Sequence, residues 1–455
     1  MNKAAIAGTA ESLCPVCLKR IPAHKIAIGD DVYLEKACPE HGSCRTIIWR
    51  GPPAYNAWAF ASQPPPPPAC AAAADKGCPF DCGLCPAHRS HTCCVLLEVT
   101  RRCNLACPVC FASAGGGDDD PVIGTIESWY RRLLAGGGPY NIQLSGGEPT
   151  LRDDLPAIIA LGRSLGYTFF QLNTNGLRLA DDRQYGLRLK QAGLSCVFLQ
   201  FDGLDDTVYE KIRGKPLLDI KRAAIARCAE LGLGVVLVPT LVPRINTAHI
   251  GRLVDFAVSL MPAVRGVHFQ PVSYFGRYPH PPADADRFTL PELMQALVAQ
   301  TGGKMKISDF RPSGGRNAYC SFHANYLVAA DGQLKLWNSG EQGCCQTRPA
   351  GDDVRKARSF VARRWSAACG PRADSPAYGP GIVTDSLDAF LDTVDKRTLC
   401  ISAMAFQDNG TIDLDRVKDC PLHVVAPDSR LIPFCAYSLT RINGEPLYRP
   451  RGTTP

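Results

Sequence analysis

The chain has 455 residues, 45% of them hydrophobic and 20% charged, which is enough apolar material for two or three packed domains. Lysine plus arginine exceed aspartate plus glutamate by only 50 to 43, too small and scattered an excess for a nucleic-acid-binding face. Twenty-two cysteines could suggest a secreted disulfide scaffold, but that reading belongs to short chains, and Met1 to Leu13 shows no basic segment followed by an apolar core. Reduced, metal-binding cysteines in the cytoplasm fit better. No apolar run reaches the ~18 residues a bilayer span requires, since Gly234 to Val242 is short and broken by Pro239. A lipid substrate would therefore be met at the membrane surface or carried.

The first segment, residues 1–60, carries Cys14-Pro-Val-Cys17, then Cys38-Pro-Glu-His41-Gly and Cys44, with a strand-like Asp31-Val-Tyr-Leu-Glu35 between them. Two cysteines on a knuckle facing another Cys or His some twenty residues on have the spacing of a tetrahedral site for zinc or rubredoxin-like iron. Cys14, Cys17 and Cys38 supply three ligands; His41 or Cys44 supplies the fourth. Residues 61–93 begin with the proline run Pro64 to Pro68, an extended spacer, and continue into Cys78-Pro-Phe-Asp-Cys82-Gly-Leu-Cys85. With no strand before it and a fourth cysteine in reach, this module suits a fully ligated auxiliary 4Fe-4S cluster, Cys93 being favoured over Cys94 because Cys94 opens an apolar strand.

That strand, Cys94-Val-Leu-Leu-Glu-Val-Thr100, runs into Cys103-Asn-Leu-Ala-Cys107-Pro-Val-Cys110-Phe111, three cysteines on one short loop. Three thiolates form a soft-metal trap, and the next cysteine downstream, Cys196, belongs to a different element. The loop is therefore one ligand short of a closed site and leaves one iron of a cluster open. From here to residue 302 strands alternate with amphipathic helices. The patterns place strands over Cys94 to Thr100, Asn141 to Ser145, Thr168 to Thr174, Cys196 to Asp202, Gly234 to Leu241 and Gly266 to Val272. Helices are placed over Thr125 to Leu134, Asp153 to Leu165, Asp181 to Gln191, Leu217 to Leu231 and Ala248 to Leu260. Six strands in series with crossover helices imply an α/β fold, a partial (β/α)6 TIM-like barrel with cysteine-rich metal-binding extensions at both ends.

In such a barrel chemistry gathers at the carboxyl ends of strands, and the unusual residues fall there. The second strand ends Ser145-Gly146-Gly147-Glu148-Pro149, where glycines permit close backbone approach and the carboxylate can receive a cationic amine. The third ends Asn173-Thr174-Asn175-Gly176, offering amides to a ribose or carboxylate, or else capping a helix. The fourth ends Gln200-Phe201-Asp202-Gly203 and the sixth Phe269-Gln270-Pro271, which makes Asp202 and Gln270 candidates to line the same mouth. Arg213 and Asp118-Asp119-Asp120 are read as surface turn and solvated loop, and Cys196 and Cys228 as core. Residues 303–455 form the C-terminal extension, in which Cys320, Cys400, Cys420 and Cys435 can make a second auxiliary 4Fe-4S cluster; Cys344, Cys345 and Cys369 receive no role.

The loop at Cys103, Cys107 and Cys110 with Phe111 strongly resembles the signature of the radical S-adenosylmethionine (radical SAM) superfamily. The resemblance implies that the open iron chelates the amino and carboxylate groups of SAM, that Gly146-Gly147-Glu148 binds the SAM amino group, and that reductive cleavage gives a 5'-deoxyadenosyl radical. The flanking cysteine modules, with Phe201-Asp202-Gly203, Tyr209 to Gly214, Phe269 to Val272, Asp415 to Cys420 and Ile432 to Tyr437, resemble one branch: archaeal tetraether lipid synthase and methylases acting on 7,8-dihydro-6-hydroxymethylpterin. It implies one or two auxiliary clusters, a mononuclear Fe or Zn, and an external donor such as ferredoxin or flavodoxin. The function expected is C-H activation for C-C bond formation on a lipid, with peripheral membrane contact; the alternative is radical methylation of a pterin precursor. A non-enzymatic multi-cluster electron carrier is the reading from another class. A long apolar groove would favour lipid, and a compact polar pocket a pterin.

Overall fold

The computed structural model describes residues 4–59, 72–115, 120–312, 317–337, 365–366, 394 and 396–449. The proline run Pro64 to Pro68, Asp118, Asp119, Cys344, Cys345 and Cys369 lie outside these residues.

The N-terminal segment is an antiparallel ribbon of β1 (Ala4–Leu13), β2 (Arg20–Ile28), β3 (Asp31–Cys38) and β4 (Gly42–Trp49), in that spatial order. The turn after β1 carries Cys14 and Cys17, and the turn after β3 carries His41, so the two knuckles meet at one end of the ribbon. A short helix, α1 (Tyr55–Trp58), stacks Tyr55 on Tyr319 at 4.1 Å and packs it edge-on against Trp49, tying the ribbon to the rest of the chain.

The central unit alternates as expected: β5 (Cys94–Thr100), α2 (Ile123–Ala135), β6 (Asn141–Gly146), α3 (Leu155–Ser164), β7 (Phe170–Thr174), α4 (Leu177–Asp181), α5 (Arg183–Ala192), β8 (Cys196–Gln200), α6 (Asp206–Arg213), α7 (Leu218–Glu230), β9 (Gly234–Val238), β10 (Thr240–Leu241), α8 (Ile250–Ser259) and β11 (Val264–Pro271). Strands β5, β6, β7, β8, β9 and β11 pair in parallel, in sequence order. Pro239 divides the fifth predicted strand into β9 and β10, because it brings no N–H to a ladder. The third predicted helix is α5, capped by Asp182, whose carboxylate accepts from Tyr185 N at 2.8 Å; the short α4 before it was not predicted. Helix α6, which the sequence reading left as a turn, is capped by Asp205 and buries Val208, Tyr209 and Ile212.

Segments after α9 (Leu290–Gln300) extend this sheet on both edges. Strands β12 (Arg311–Pro312), β13 (Ser321–Val328), β14 (Leu334–Leu336) and β15 (Thr398–Met404) add to one side, β15 lying parallel to β11 and antiparallel to β13. On the other side β16 (Leu422–Val425) runs parallel to β5 and pairs with β17 (Leu431–Pro433). The parallel part therefore counts eight strands, in the order β16-β5-β6-β7-β8-β9-β11-β15. No helix among the described residues is long and apolar enough to cross a membrane.

Alternation sets the two faces of this sheet. Val95, Leu97, Val99, Ile142, Leu144, Phe170, Leu172, Val197, Leu199, Val235, Leu237, Val267 and Phe269 join the helices in one buried core. The residues between them point the other way. Strands β8 and β11 are not neighbours, yet the rings of Phe198 and His268 stand 5.7 Å apart, so this second face is the concave, inner one.

Candidate active site and metal centres

Three constraints shape the loop after β5. The chain turns back on itself through Cys110, whose N–H donates to Arg277 O at 2.9 Å while Arg277 N–H donates to Cys110 O at 3.0 Å. The Arg277 guanidinium then donates to the carbonyls of Cys107 and Ala114, at 3.2 and 3.1 Å. Gly146 and Gly147 press against the start of the loop: Gly147 N donates to Thr100 O and Glu148 N to Arg102 O, both at 2.8 Å. A Cβ on Gly146 or Gly147 would stand 2.1 Å from Thr100 O or Arg102 O. The two glycines therefore serve the fit of strand to cysteine loop, a different close approach from the ligand contact read in the sequence. The backbone of the loop is held this way apart from its thiols; the Cys107 side chain meets Arg213, and burial pushes the Cys103 thiol up to about 11.

Glu148 is 1% exposed. Its Oε1 accepts from Thr150 N, Thr150 Oγ1 and Thr174 Oγ1 at 3.1, 2.6 and 2.6 Å, and its Oε2 from Asn175 N at 2.7 Å. Among the described residues no lysine or arginine forms an ion pair with it, so neutral donors hold a buried carboxylate beside the cysteine loop. Asn175 joins the two parts: its Nδ2 donates to Asn104 Oδ1 on the loop at 2.7 Å, and its Oδ1 accepts from Leu177 N, the first residue of α4, at 3.1 Å. Its carbonyl accepts from the buried Lys221 Nζ. Burial drives Lys221 down to about 7.

Asp202 is fully buried and commits both oxygens to Arg213, at 2.7 and 2.8 Å, with a third bond from Thr240 N. Arg213 is thus a buried partner in the last turn of α6, not a surface turn residue, and it reaches Thr240 Oγ1 as well. Gln270 sits half-buried on the inner face, opposite Thr240 in the ladder. Asp120 holds Thr100 and Arg102, so it braces the loop instead of lying in solvent.

A comparison with known protein families matches residues 97–257 to the radical SAM superfamily and residues 6–50 to an HMPTM N-terminal zinc ribbon domain. A 7,8-dihydro-6-hydroxymethylpterin dimethyltransferase of Methanocaldococcus jannaschii is 33% identical over 94% of this chain and 92% of its own length. The chain belongs to the radical SAM superfamily. It shares a family with that dimethyltransferase, and it is a radical SAM enzyme. A Fe-coproporphyrin III synthase of Methanosarcina barkeri is 37% identical, over 31% of this chain and 35% of its own. Among solved structures, Streptococcus suis SuiB bound to S-adenosylmethionine is similar over 46% of this chain and 47% of that one, with a TM-score of 0.37 and 16% identity.

Radical SAM enzymes work with SAM and a 4Fe-4S cluster, and the residues at this mouth fit both. Three thiols share a loop whose backbone is clamped elsewhere, and a buried anionic carboxylate suits the ammonium of SAM.

The other cysteine groups differ in how far the fold gathers them. Ligand atoms of Cys14, Cys17, Cys38 and His41 all lie within 4.8 Å of one another, and Cys44 is outside that set. Cys14–His41, Cys17–Cys38 and Cys38–His41 stand 3.7, 4.0 and 3.5 Å apart, as around one tetrahedral ion with bonds of about 2.3 Å to sulfur. Cys78, Cys82 and Cys85 line one cavity with His88, Lys418 and Pro433. Cys93 stands just before β5, its N–H donating to Pro421 O at 2.9 Å. Cys320, Cys420 and Cys435 lie within electrostatic reach of one another around the buried Arg416, whose Nη2 is 3.4 Å from Cys320 Sγ.

Cys400 is not brought to them. Ala405 N donates to Cys320 O, whereas Cys400 pairs with Asn325, five positions further along β13, or about 17 Å at strand rise. The sequence showed a cysteine; the ladder puts it at the far end of the strand, with the inner-face layer of Gly266.

Proposed function

We propose that this radical SAM enzyme methylates a pterin of the 7,8-dihydro-6-hydroxymethylpterin type. The observation that carries the proposal is the 33% identity to the dimethyltransferase, which runs through ribbon, barrel and C-terminal extension alike. The inner face of the sheet supports it. Gln143, Gln171, Asn173, Gln200, His268 and Ser402 alternate along that face with the apolar residues of the outer one. A face rich in amides suits a polar heterocycle and would leave hydrogen-bonding groups unpaired against an alkyl chain. The lipid-coupling reading has no comparable support.

In this reading Cys103, Cys107 and Cys110 hold the 4Fe-4S cluster, and Glu148 receives the SAM amino group. Bound there, cluster and SAM together supply a 5'-deoxyadenosyl radical able to activate a C-H bond. The chain's own part is orientation. Arg277 and the two glycines fix the loop against β6, Asn175 ties that loop to β7, and Glu148 presents a fixed charge at the strand end. Gln270 faces the same mouth, while Asp202 acts through Arg213 as a brace. The Cys14, Cys17, Cys38 and His41 set holds one zinc or iron ion, and Cys78, Cys82 and Cys85 an auxiliary cluster with Cys93 or another donor as fourth ligand. The electron comes from an external low-potential donor of the ferredoxin or flavodoxin kind.

The test is anaerobic reconstitution, reduction, and incubation with SAM and 7,8-dihydro-6-hydroxymethylpterin, reading 5'-deoxyadenosine and methylated pterin by mass. Methylated pterin formed in step with deoxyadenosine is the expected result. Deoxyadenosine released equally with and without the pterin, and no methylated product, would overturn the proposal.

A further inference from the structure

The inner face carries one polar constellation that no metal or SAM role absorbs. Gln171 Nε2 donates to Asn173 Oδ1 at 2.7 Å, and Asn173 Nδ2 reaches Gln143 Oε1 at 3.5 Å. The three amides thus form a ladder across β6 and β7. Its lower end is open: Gln171 is 1% exposed, and among the described residues its Oε1 has no hydrogen-bond partner. A buried carbonyl left this way is unfavourable unless something donates to it. Its upper end lies directly before Thr174, which holds Glu148, so the ladder leads down from the SAM mouth into the barrel. Beside it on the same face stands an aromatic group, beginning with Phe198, which is the ladder partner of Asn173 on β8. Phe198 and His268 are 5.7 Å apart, and Trp365 approaches Phe198 to 4.8 Å. His268 is itself oriented by Ser402 Oγ, 2.9 Å from its Nδ1.

A row of primary amides beside aromatic rings on one face reads one kind of ligand well. Each amide presents a donor and an acceptor side by side, which matches a flat ring whose edge alternates amino, ring nitrogen and carbonyl groups. The rings supply a stacking surface for the faces of the same heterocycle. We infer that Gln171 and Asn173 recognise the 2-amino-4-oxo pyrimidine edge of the substrate, with the unpaired Gln171 Oε1 accepting from its amino or ring N–H group. This rests on the pterin reading given above and specifies which residues of the chain enforce it. It separates two functions along one strand: Thr174 and Asn175 serve the cofactor end, and Gln171 and Asn173 the substrate. Apolar isosteres at these positions remove the edge recognition without changing the cluster loop.

The experiment is a binding titration of the reconstituted, SAM-loaded holoenzyme under anaerobic conditions. The ligands are 7,8-dihydro-6-hydroxymethylpterin and its analogue lacking the 2-amino group. Wild type should bind the pterin at least about tenfold more tightly than the analogue, and Gln171→Leu should weaken pterin binding by about tenfold or more while bringing the two ligands level. Iron content and SAM binding report whether each variant has folded. Asn173→Leu, which breaks the same ladder one step nearer the mouth, should give the same levelling and serves if Gln171→Leu does not load iron. If wild type binds the pterin and both loaded variants bind and discriminate as wild type does, the inference is overturned while the pterin reading stands. If wild type itself binds no pterin, both fall together.

Discussion

The ribbon at the N-terminus and the loop after β5 each offer clustered cysteines to a metal, and they solve opposite problems. In the ribbon, two turns from separate hairpins converge until four donor atoms lie within 4.8 Å, a closed set around a single ion. Among the described residues no other group of three such donors is so tight. On the loop, three thiols come from one stretch of eight residues, Cys103 to Cys110, and stand around a larger space, as a four-iron cube requires. At its knuckle end the ribbon has little core beyond Cys14, Ile21 and Cys38, so a bound ion would add to its stability there. The loop draws its structure from the barrel, through Arg277, Gly146 and Gly147. A structural site closes its own coordination shell, whereas a reactive one must leave a position open and be held rigid from outside.

The largest test of that contrast is Cys107→Ala. Because the loop cluster has no spare thiol, SAM cleavage should fall by about a thousandfold or more, to the limit of detection. The ribbon should keep its metal at one ion per chain. Iron, sulfide and zinc analysis beside a 5'-deoxyadenosine assay reads both. Loss of the ribbon metal together with the cluster would show that the two regions fold as one unit and would break the comparison.

Arg277→Ala comes next. It leaves every cysteine in place but removes guanidinium bonds to two loop carbonyls, Cys107 and Ala114, at a cost of about 1.5–3 kcal/mol in loop order. The cluster should become labile, with iron and sulfide lost several times faster on exposure to chelator, while ribbon metal is retained unchanged. Arg277→Lys should restore little, since one ammonium cannot reproduce the fork. A cluster as durable as wild type would mean that the glycine contacts alone hold the loop.

A third effect follows from Lys221 beneath the mouth. Burial lowers it from 10.5 to about 7, so the unfolded chain binds more protons than the folded one between those values. Stability contributed by this group is therefore lowest near pH 7 and rises with pH up to about 10.5, with a slope of at most about 1.4 kcal/mol per pH unit. Lys221→Met should flatten the urea-unfolding free energy across that range. The ribbon should show no such change, so following its metal release separately confines the effect to the barrel. An unchanged slope in the variant would assign the rise to other groups.

How much of this was legible depends on the range of the interaction. Periodicity located the barrel strands and helices within a few residues, and the two cysteine spacings announced themselves, because both are local properties of ten or so residues. The eight-strand parallel part of the sheet was not legible: β16 pairs with β5 across more than three hundred residues, and nothing in Leu422 to Val425 names that partner. Cys400 went astray for the same reason, its place being fixed by the β13–β15 register. Arg277 and Arg213 were missed because an arginine in a loop looks solvated until the acid or carbonyls it meets are known. The amide face could have been found. Asn141-Ile-Gln-Leu-Ser and Phe170-Gln-Leu-Asn-Thr alternate with period two, a signature of strands with one polar face that a search for buried parallel strands passes over.

The smallest effect is the most discriminating for the ribbon. The spacing alone left His41 and Cys44 as equal candidates for the fourth ligand. In the fold His41 Nδ1 stands 3.7 Å from Cys14 Sγ and 3.5 Å from Cys38 Sγ, while Cys44 lies on β4 opposite Lys36, with its thiol raised by burial. Cys44→Ser should leave metal content at one ion and change stability by no more than about 0.5 kcal/mol, as for an ordinary half-buried position. His41→Ala should weaken metal retention by at least about tenfold against a chelator, because removing one donor opens the shell to water. The reverse pattern, metal lost with Cys44 and kept without His41, would mean that the bound ion re-forms the turn after β3 around a four-cysteine site. The ribbon would then be shaped by its metal more strongly than by its own ladder.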